Sequence, residues 1–473
     1  MKSILKILFD FPEDKDMIIY EDKRYKKKDV LDLTVKIQQE ILNIKYKKQT
    51  IALVQTNSLN FIASYFAILL AGYSILLLYF GSTENEINQY LNFMDIQLCL
   101  TEKKLFDESK LKGVKKIYTD DIQSKLSYIN YNIVINDIRK FVFFHTSGTS
   151  DPKYLKVIPH TEEELILNAE LHASSLGIKE EDIGCIVLPL SFGYANVSQL
   201  ITHLLLKNTI LIMKNIEYPQ KIINKIIQYE VTHVTFTPFY LDLINMCNLS
   251  KKNFSQLKMI CFGGSSLTSK AYKKLKTIFK NVIFVQTYGQ TEAGPRITTK
   301  IISKKYNPKN VGNCLEKIEI KILKQDKLTS RPYVKGEILL NSPCMIKSYY
   351  NLDKKILYKK KWLKTGDIGY LNYKHELILL GRKTNIIKNR GFQISPEEIE
   401  NYLKNKYELN FLISKEEKLI LQIEGEEDIV NKEEILEDLK NQFSYYKIPD
   451  KIKFVNKLVR TSTGKIKRKK VRL

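Results

Sequence analysis

Hydroxyl-bearing and small residues follow an apolar run in a pattern suited to binding phosphate groups. The run Phe141–His145 has the bulky, apolar character of a buried strand. The residues after it are Thr146, Ser147, Gly148 and Thr149, with Lys153 close behind. Backbone N–H groups, hydroxyls and a lysine are the groups that hold phosphate oxygens in proteins. The pattern therefore predicts a phosphate-binding loop where a strand ends.

A helix is expected after this loop. Thr161 is followed three residues later by Glu164, and an amphipathic stretch comes next. A threonine and a glutamate at this spacing are typical of a capping box at a helix N-terminus. The order predicted from the residues alone is strand, loop, helix.

Further strands end in segments that could line the same site. Four apolar runs lead into segments rich in Gly, Ser, Thr and aromatic residues, at residues 191–196, 237–240, 263–266 and 287–292. We interpret all four segments as loops. In an α/β sheet, ligands bind at the carboxyl edge of the strands, so these loops are expected to meet there.

The elements that must position these loops alternate between helix and strand from the N-terminus onward. Residues 28–42 have the pattern of an amphipathic helix, and residues 50–55 that of a strand. This alternation predicts a mostly parallel sheet covered on both faces. The nearly apolar residues 61–80 are long enough for a membrane span, but Gly72 divides the run, which favours a buried helix at 60–71 and a buried strand at 73–79. The short apolar stretch that ends at Asp10 is not typical of a signal peptide.

Composition indicates a globular protein of two or three domains. The chain has 473 residues, of which 44% are hydrophobic and 11% aromatic. Its formal charge of +24 comes from basic residues spread along the whole chain. Such a charge predicts a weak attraction for anionic partners, and nucleic-acid binding is not expected as the main function.

Cysteine and histidine spacing excludes two classes of site. The six cysteines lie far apart with no C-x-x-C pair, and the six histidines show no H-x-x-H or H-E-x-x-H spacing. Neither a zinc site nor a disulfide framework is therefore expected, and a reducing, cytoplasmic location is predicted.

Five short motifs follow one another along the chain. They are Thr-Ser-Gly-Thr at 146–149, Tyr-Gly-Gln-Thr-Glu at 288–292, Lys-Thr-Gly-Asp at 364–367, Gly381-Arg382 through Ile387-Lys388 to Glu400, and Thr-Gly-Lys at 463–465. In this order they resemble the adenylate-forming superfamily of acyl-CoA synthetases, peptide-synthetase adenylation domains and luciferases. Each motif is weak alone, and five in order are specific. The resemblance runs from about residue 20 to the end of the chain.

The resemblance implies a fold and a reaction. The fold would be a large α/β N-terminal domain of layered sheets and helices, residues 1–382, joined by a hinge to a small, mobile α+β C-terminal domain, residues 383–473. The reaction would begin with attack of a carboxylate on the α-phosphate of ATP, giving an acyl-adenylate and pyrophosphate. A pantetheine thiol, of CoA or of an acyl carrier protein, would then take the acyl group. Such chemistry depends on positioning and on charge neutralisation.

The resemblance also implies roles for individual residues in binding ATP. Residues that would hold the β- and γ-phosphates are Thr146, Ser147, Gly148, Thr149 and Lys153. Thr291 would contact the α-phosphate, and Glu292 would carry Mg²⁺, which prefers oxygen ligands. The groups around adenine and ribose would be Gly263, Gly264, Ser265, Tyr288, Gly289, Asp367 and Arg382. The acyl pocket would be lined by Phe192, Gly193, Tyr194, Phe236, Gly264 and Gly289.

The C-terminal residues would act in both steps. By resemblance, Lys465 would bridge the substrate carboxylate and the α-phosphate, because a point charge on a flexible stem can neutralise both anions. The hinge would fall at Thr384, where relatives usually have Asp or Lys. Rotation about it would bring Lys388 and the segment around Gly391 to the site for thioester formation.

Departures from the family pattern leave some assignments open. Asp151 stands where a glycine is usual, Tyr154 replaces another glycine, and Pro152-Lys153 come one residue early. Either Lys153 or Lys156 could therefore be the lysine that contacts phosphate. Together with Thr384, these changes motivate the alternative of a catalytically weakened homologue that acts as a binding protein.

The acid to be activated is only partly constrained. Residues 191–196 contain no carboxylate to pair with an α-ammonium group, so α-amino acids are disfavoured. Arg296 could pair with a second carboxylate or polar substituent on the acid, or could face solvent. We expect an acid–thiol ligase, and the alternative within the family is a stand-alone adenylation enzyme that passes the acyl group to an amine. A transmembrane segment is not predicted.

Overall fold

The computed structural model of the protein describes most of the chain. The described residues are 3–122, 140–145, 155–214, 217–249, 252–265, 267–303, 305–350, 356–385, 387–389, 392–394, 396–415, 418–427, 429–443, 447–461 and 466–468. The helices are α1 (Ile4–Phe9), α2 (Lys27–Asn43), α3 (Leu59–Leu70), α4 (Glu84–Phe93), α5 (Glu162–Leu176), α6 (Gly193–Ala195), α7 (Thr202–Leu205), α8 (Pro219–Gln228), α9 (Pro238–Asn245), α10 (Ser269–Ile278), α11 (Pro396–Tyr407) and α12 (Lys432–Gln442).

The strands fall into two groups along the chain. Those before residue 290 are β1 (Asp16–Tyr20), β2 (Lys23–Lys26), β3 (Thr50–Leu53), β4 (Ser74–Leu77), β5 (Leu98–Thr101), β6 (Lys115–Tyr118), β7 (Phe141–His145), β8 (Val157–Thr161), β9 (Ile183–Ile186), β10 (Thr209–Ile212), β11 (His233–Phe236), β12 (Met259–Gly263) and β13 (Ile283–Gly289). Those after it are β14 (Arg296–Ile302), β15 (Asn310–Cys314), β16 (Glu319–Lys324), β17 (Lys327–Thr329), β18 (Gly336–Asn341), β19 (Leu357–Tyr358), β20 (Trp362–Leu371), β21 (Leu377–Arg382), β22 (Ile387–Asn389), β23 (Phe392–Ile394), β24 (Phe411–Lys415), β25 (Leu419–Glu424) and β26 (Lys451–Val455).

The first sheet confirms the mostly parallel arrangement predicted for the N-terminal residues. Its strand order is β6-β5-β3-β4-β7-β8, and its strands run parallel except for the antiparallel pair β7–β8. The apolar run forms helix α3 and strand β4, with Gly72 between them in a left-handed conformation at φ 91°. The buried alternative predicted for this run is therefore confirmed. Among the described residues, no helix is long and apolar enough to cross a membrane.

The predicted order of strand, loop and helix is incomplete, because a strand intervenes. β8 pairs with β7 in antiparallel register, from His145 opposite Val157 to Phe141 opposite Thr161. Proline is unfavourable inside a strand, so Pro159 argues against β8 in the sequence. It is tolerated here because β8 is the edge strand of this sheet. The capping box is confirmed, since Thr161 Oγ1 accepts from Glu164 N at 3.2 Å and the Glu164 carboxylate accepts from Thr161 N at 3.0 Å.

A second sheet continues from parallel to antiparallel strands. Its order is β17-β16-β18-β20-β21-β15-β14-β13-β12-β11-β9-β10-β1-β2, and β10, β9, β11, β12 and β13 are mutually parallel neighbours. Beyond β13 the neighbours are antiparallel. The loop predicted at residues 287–292 is wrong at its start, because Thr287, Tyr288 and Gly289 pair with β14 and extend β13. That pairing partner lies later in the chain, so local pattern does not reveal it.

The C-terminal residues have a hydrophobic core of their own. Side chains from α11, α12 and the sheet β24-β25-β26 pack together, including Ile399, Leu403, Leu421 and Leu439. Polar contacts connect this core to the rest of the chain. Lys270 pairs with Glu408 at 2.6 Å, and Ser269 N donates to Asn405 Oδ1 at 2.9 Å. The boundary between residues 382 and 383 stays a prediction, which this separate core supports.

Candidate active site

The carboxyl ends of β12 and β13 place the predicted glycine-rich turn beside the Tyr288 motif. Gly263 is paired with Thr287 in the sheet, and the exposed Gly264 has φ +83°, which favours glycine. At Gly289 a Cβ atom would lie 1.9 Å from the carbonyl oxygen of Pro295. Only glycine allows this close approach, so two backbone segments, at Gly289 and Pro295, lie against each other here.

Tyr288, Asp367 and Arg382 form one hydrogen-bonded group. The Tyr288 hydroxyl donates to Asp367 Oδ2 at 2.6 Å, and Arg382 Nε lies 3.0 Å from Asp367 Oδ1. Asp367 and Arg382 are opposite each other in the β20–β21 pair. Burial and the Asp367 carboxylate raise the pKa of Tyr288 well above its usual value, so the phenol stays protonated and acts as the donor. The three predicted nucleotide-binding side chains thus lie together.

A short turn after β13 carries Thr291 and Glu292. It is held by His160 on β8, whose Nε2 donates to the Thr291 carbonyl oxygen at 2.7 Å. The Tyr349 hydroxyl donates to Glu292 Oε1 at 2.8 Å. Lys156 Nζ lies 5.2 Å from the centroid of the Tyr349 ring. Of the two lysines considered for phosphate contact, Lys156 is therefore near Glu292, and Lys153 lies outside the described residues.

The environment of Glu292 fits a magnesium ligand. Glu292 is half-buried, and one carboxylate oxygen is oriented by Tyr349 while no described residue donates to the other. The described residues contain no cluster of three His, Cys, Asp or Glu side chains that could hold a metal ion. Mg²⁺ commonly binds through one or two carboxylates together with substrate phosphates. A single oriented carboxylate is thus the donor set expected of an ion that arrives with a nucleotide.

The predicted acyl-pocket residues do not form a loop as expected. Residues 193–195 form the turn α6, which continues into a π-helical turn, Asn196–Ile201. Such turns are frequent at functional sites. A Cβ atom added to Gly193 would lie 3.4 Å from Thr291 Cγ2, so this turn adjoins the predicted α-phosphate contact.

Aromatic side chains surround the start of this turn. The Phe192 ring stacks on Tyr79 at 5.2 Å and lies 5.9 Å from the ring of His145, the last residue of β7. The Tyr194 hydroxyl lies 2.8 Å from Thr287 Oγ1. Phe236 is placed differently, fully buried in the core and stacked on Tyr240. Its role in the pocket stays a prediction.

Arg296 does not face solvent, and that alternative from the sequence is wrong. The side chain begins β14 and is 2% exposed. Its guanidinium carbon lies 5.3 Å from the centroid of the Tyr194 ring. Arg296 therefore contacts the predicted acyl pocket.

Several predicted residues fall where the structure gives no description. Those wholly outside the described residues are Thr146, Ser147, Gly148, Thr149, Lys153 and Lys465. Lys388 is described only through its backbone in β22, and Thr384 only through its backbone in a 3-10 turn at Lys383–Asn385. These roles stay predictions.

The segments on either side of Lys465 are anchored by arginines. Arg460 Nη2 lies 2.6 Å from Glu424 Oε2. Arg468 contacts both oxygens of the buried Glu400, with Nη1 at 2.9 Å from Oε1. Both ion pairs join the described residues 447–461 and 466–468 to the C-terminal core.

Tyr349 and His160 are functional candidates that the sequence did not reveal. Both act on the Thr291–Glu292 turn, from 57 and 131 residues away along the chain. Pro159 and His160 stand in register with the family pattern, a signal that could have found His160. Tyr349 lies outside the five motifs.

Comparison with known families and proteins gives results in line with this geometry. A model for the family described as AMP-binding enzyme matches residues 10–350. The chain is 24% identical over 421 residues to 4-coumarate–CoA ligase 3 of Arabidopsis thaliana, covering 82% of this chain and 75% of that protein. It is 25% identical over 453 residues to the 2-succinylbenzoate–CoA ligase of Oceanobacillus iheyensis, covering 88% of this chain and 87% of that protein.

Solved structures share the fold at lower identity. The O-succinylbenzoate coenzyme A synthetase of Bacillus subtilis, in complex with ATP and magnesium ion, has a TM-score of 0.86 and 22% identity, covering 98% of this chain and 97% of the other. The anthranilate CoA ligase AuaEII, in complex with anthranoyl-AMP, has a TM-score of 0.85 and 18% identity, covering 98% and 95%. These likenesses confirm the predicted fold class of a large α/β part with layered sheets and helices, followed by a small α+β part.

Proposed function

Because the chain belongs to the AMP-binding enzyme family, we propose that it is an ATP-dependent acid–thiol ligase. A carboxylate attacks the α-phosphorus of ATP, an oxygen–phosphorus bond forms, and pyrophosphate leaves. The thiol of CoA then attacks the acyl carbon and loses its proton, and AMP leaves with the electron pair of the broken carbon–oxygen bond. The curated relatives named above are CoA ligases, which favours CoA over a carrier protein or an amine as acceptor.

The observation that carries this proposal is the meeting of three motifs at one end of β13. Tyr288 and Glu292 come from the β13 end, Asp367 from β20, and Arg382 from β21. A hydrogen bond joins Tyr288 to Asp367, and an ion pair joins Asp367 to Arg382. The half-exposed carboxylate of Glu292 is oriented beside these motifs by Tyr349. A purely structural role for the motifs would not require this carboxylate.

In the first step, this chain's residues bind and orient the nucleotide. Asp367 accepts hydrogen bonds from the ribose hydroxyls, and the exposed Gly264 and Ser265 lie along the adenine. Thr291 contacts the α-phosphate, and Glu292 holds Mg²⁺, which neutralises phosphate charge when bound. Residues 146–149 hold the β- and γ-phosphates. Lys465 brings the substrate carboxylate and the α-phosphate together.

In the second step, the C-terminal residues turn about Thr384 and bring Lys388 toward the acyl-adenylate. The separate C-terminal core supports this proposal, since a unit with its own core can move as one body. A cytoplasmic location stays a prediction, consistent with six cysteines that are all free thiols.

The test is acid-dependent ATP–pyrophosphate exchange across aliphatic, aryl, hydroxy and amino acids. We expect exchange with one class of acid, strong loss in Lys465→Ala, and no loss in the control Lys467→Ala, whose side chain is exposed. Thioester formation on adding CoA, with equimolar AMP, then identifies the acceptor, with a phosphopantetheine carrier protein and amines tested in parallel. ATP binding without exchange for any acid would instead support the weakened homologue, with Asp151 and Tyr154 as the first residues to revert to glycine.

A further inference from the structure

Arg296 is a buried cation with few partners. Its Nη2 donates to the Thr298 carbonyl oxygen at 3.3 Å, and its Nε has no hydrogen-bond partner among the described residues. A guanidinium has five N–H donors, so most of its hydrogen-bonding capacity is unused. No described carboxylate forms an ion pair with it.

The groups that face Arg296 are neutral. Burial raises the pKa of Tyr194 and of the Cys261 thiol to about 12 in each case, so neither supplies a negative charge. Burial and the charge of Arg296 both lower the pKa of His172, so this imidazole is neutral too. A buried, unpaired charge costs several kcal/mol. An anionic partner supplied by a ligand would remove that cost.

Arg296 lies where a bound acid would reach. Its guanidinium covers the ring of Tyr194, and the preceding residue, Gly193, adjoins Thr291. Arg296 Cα is also 3.3 Å from the position of a Cβ atom at Gly289. An acid whose reacting carboxylate is near Thr291, and whose chain lies along Tyr194, therefore extends toward Arg296.

A small cavity lies beside His172 and Cys261, two of the groups that interact electrostatically with Arg296. Its lining includes His172, Ser198, Gln199 and Cys261, and its volume is about 10 Å³, room for one water molecule. His172 Nδ1, Ser198 Oγ and both polar atoms of the Gln199 side chain have no hydrogen-bond partner among the described residues. One water molecule in this cavity could satisfy some of these buried groups.

We propose that Arg296 determines substrate specificity by pairing with a second carboxylate, so that the acid activated by this protein is a dicarboxylic acid. The inference rests on the proposed function for the identity of the pocket. Arginine suits this role because its planar fork matches a carboxylate in two parallel hydrogen bonds.

The test compares pairs of acids of equal length, one with a terminal carboxylate and one with its methyl ester, in the exchange reaction. We expect the wild type to prefer the diacid at least 100-fold in kcat/KM. Arg296→Met should lower kcat/KM for the diacid by about 100-fold or more and leave the ester unchanged or improved, because truncating one member of a buried charge pair costs about 2–5 kcal/mol. For the diacid, the kcat/KM of Arg296→Lys should fall between those of wild type and Arg296→Met.

The outcomes separate this inference from the proposed function. Equal preference for diacid and ester in wild type, or the same preference in wild type and Arg296→Met, would overturn the inference and leave the ligase activity in place. If no acid supports exchange, the proposed function fails. Calorimetric titration of the diacids in the presence of ATP then tests whether Arg296 pairs with a carboxylate. Binding that Arg296→Met abolishes would support the pairing, and no binding to wild type would overturn it. Arg296→Met should not lower Tm, since it removes an unpaired buried charge.

Discussion

The hydroxyl of Tyr288 donates a 2.6 Å hydrogen bond to Asp367, a residue 79 positions later in the chain. The second oxygen of Asp367 is occupied by Arg382, so the carboxylate is fixed from two sides. A fixed carboxylate loses little freedom when it accepts hydrogen bonds from a ligand.

We predict that Asp367→Asn weakens ATP binding by roughly 10- to 100-fold, because a hydrogen bond to a charged group contributes about 1.5–3 kcal/mol. Tyr288→Phe should weaken it by about tenfold, since the carboxylate keeps its contact with Arg382. Calorimetric titration with ATP measures both effects. Tyr373→Phe changes an exposed tyrosine and serves as the control. Equal affinity in Asp367→Asn and wild type would remove Asp367 from the nucleotide site.

A second prediction concerns the Tyr349 hydroxyl, which orients Glu292. Tyr349→Phe should raise the Mg²⁺ concentration for half-maximal exchange by about 3- to 10-fold at saturating ATP, because one hydrogen bond contributes about 0.5–1.5 kcal/mol. Tyr350→Phe is the matched control, since the neighbouring ring packs on Phe93 and Phe143. An unchanged Mg²⁺ requirement in Tyr349→Phe would separate Glu292 from metal binding.

The third prediction distinguishes two lysines. Lys156 lies over the ring of Tyr349 and thus near Glu292. We expect Lys156→Met to raise KM for ATP by about tenfold, since it removes a cation close to where the phosphates bind. Lys153→Met should have the smaller effect. The reverse order would assign phosphate contact to Lys153.

Buried histidines predict a loss of stability in acid. Burial lowers the pKa of His145, His172 and His203, and burial together with His203 lowers that of His233 to about 4 from 6.5. Around His233 lie Asp182, with its Oδ1 3.7 Å from Nδ1, and Lys258. Because the folded state holds His233 neutral, the stabilisation is fully present above pH 6.5. It is lost as the pH falls toward 4, when the unfolded state takes up a proton first.

The expected size is about 3 kcal/mol from His233 between pH 6.5 and 4, at about 1.4 kcal/mol per pH unit. Denaturant unfolding at pH 7, 6 and 5 measures the slope, in a range above the usual pKa of carboxylates. His233→Gln should reduce the slope relative to wild type, and His375→Gln, at an exposed site, should not. A slope unaffected by His233→Gln would contradict the prediction.

Local signals in the sequence were sufficient to predict several helices and strands. Gly72 separated a buried helix from a buried strand, and the Thr161–Glu164 spacing located the start of α5. Both depend on residues within one or two turns of each other, so no distant partner is needed. The joint site of Tyr288, Asp367 and Arg382 followed from family motifs in register.

The elements that sequence reasoning missed depend on distant partners. β13 extends through Gly289 because β14 pairs with it, and β8 exists because β7 offers a free edge. Tyr349 reaches Glu292 across 57 residues, and the buried Arg296 lies over the ring of Tyr194, about 100 residues earlier in the chain. None of these relations has a periodic pattern, so each requires the folded chain.

The contacts between the C-terminal core and the rest of the chain have a further consequence. Lys270–Glu408 is more than half exposed on both sides, and Lys404–Asp242 is a pair of half-buried side chains 3.4 Å apart. An exposed pair such as Lys270–Glu408 contributes about 0–1 kcal/mol, and pairs that solvent reaches weaken as salt screens them. Ionic strength should therefore change how tightly the C-terminal residues are held against the rest of the chain.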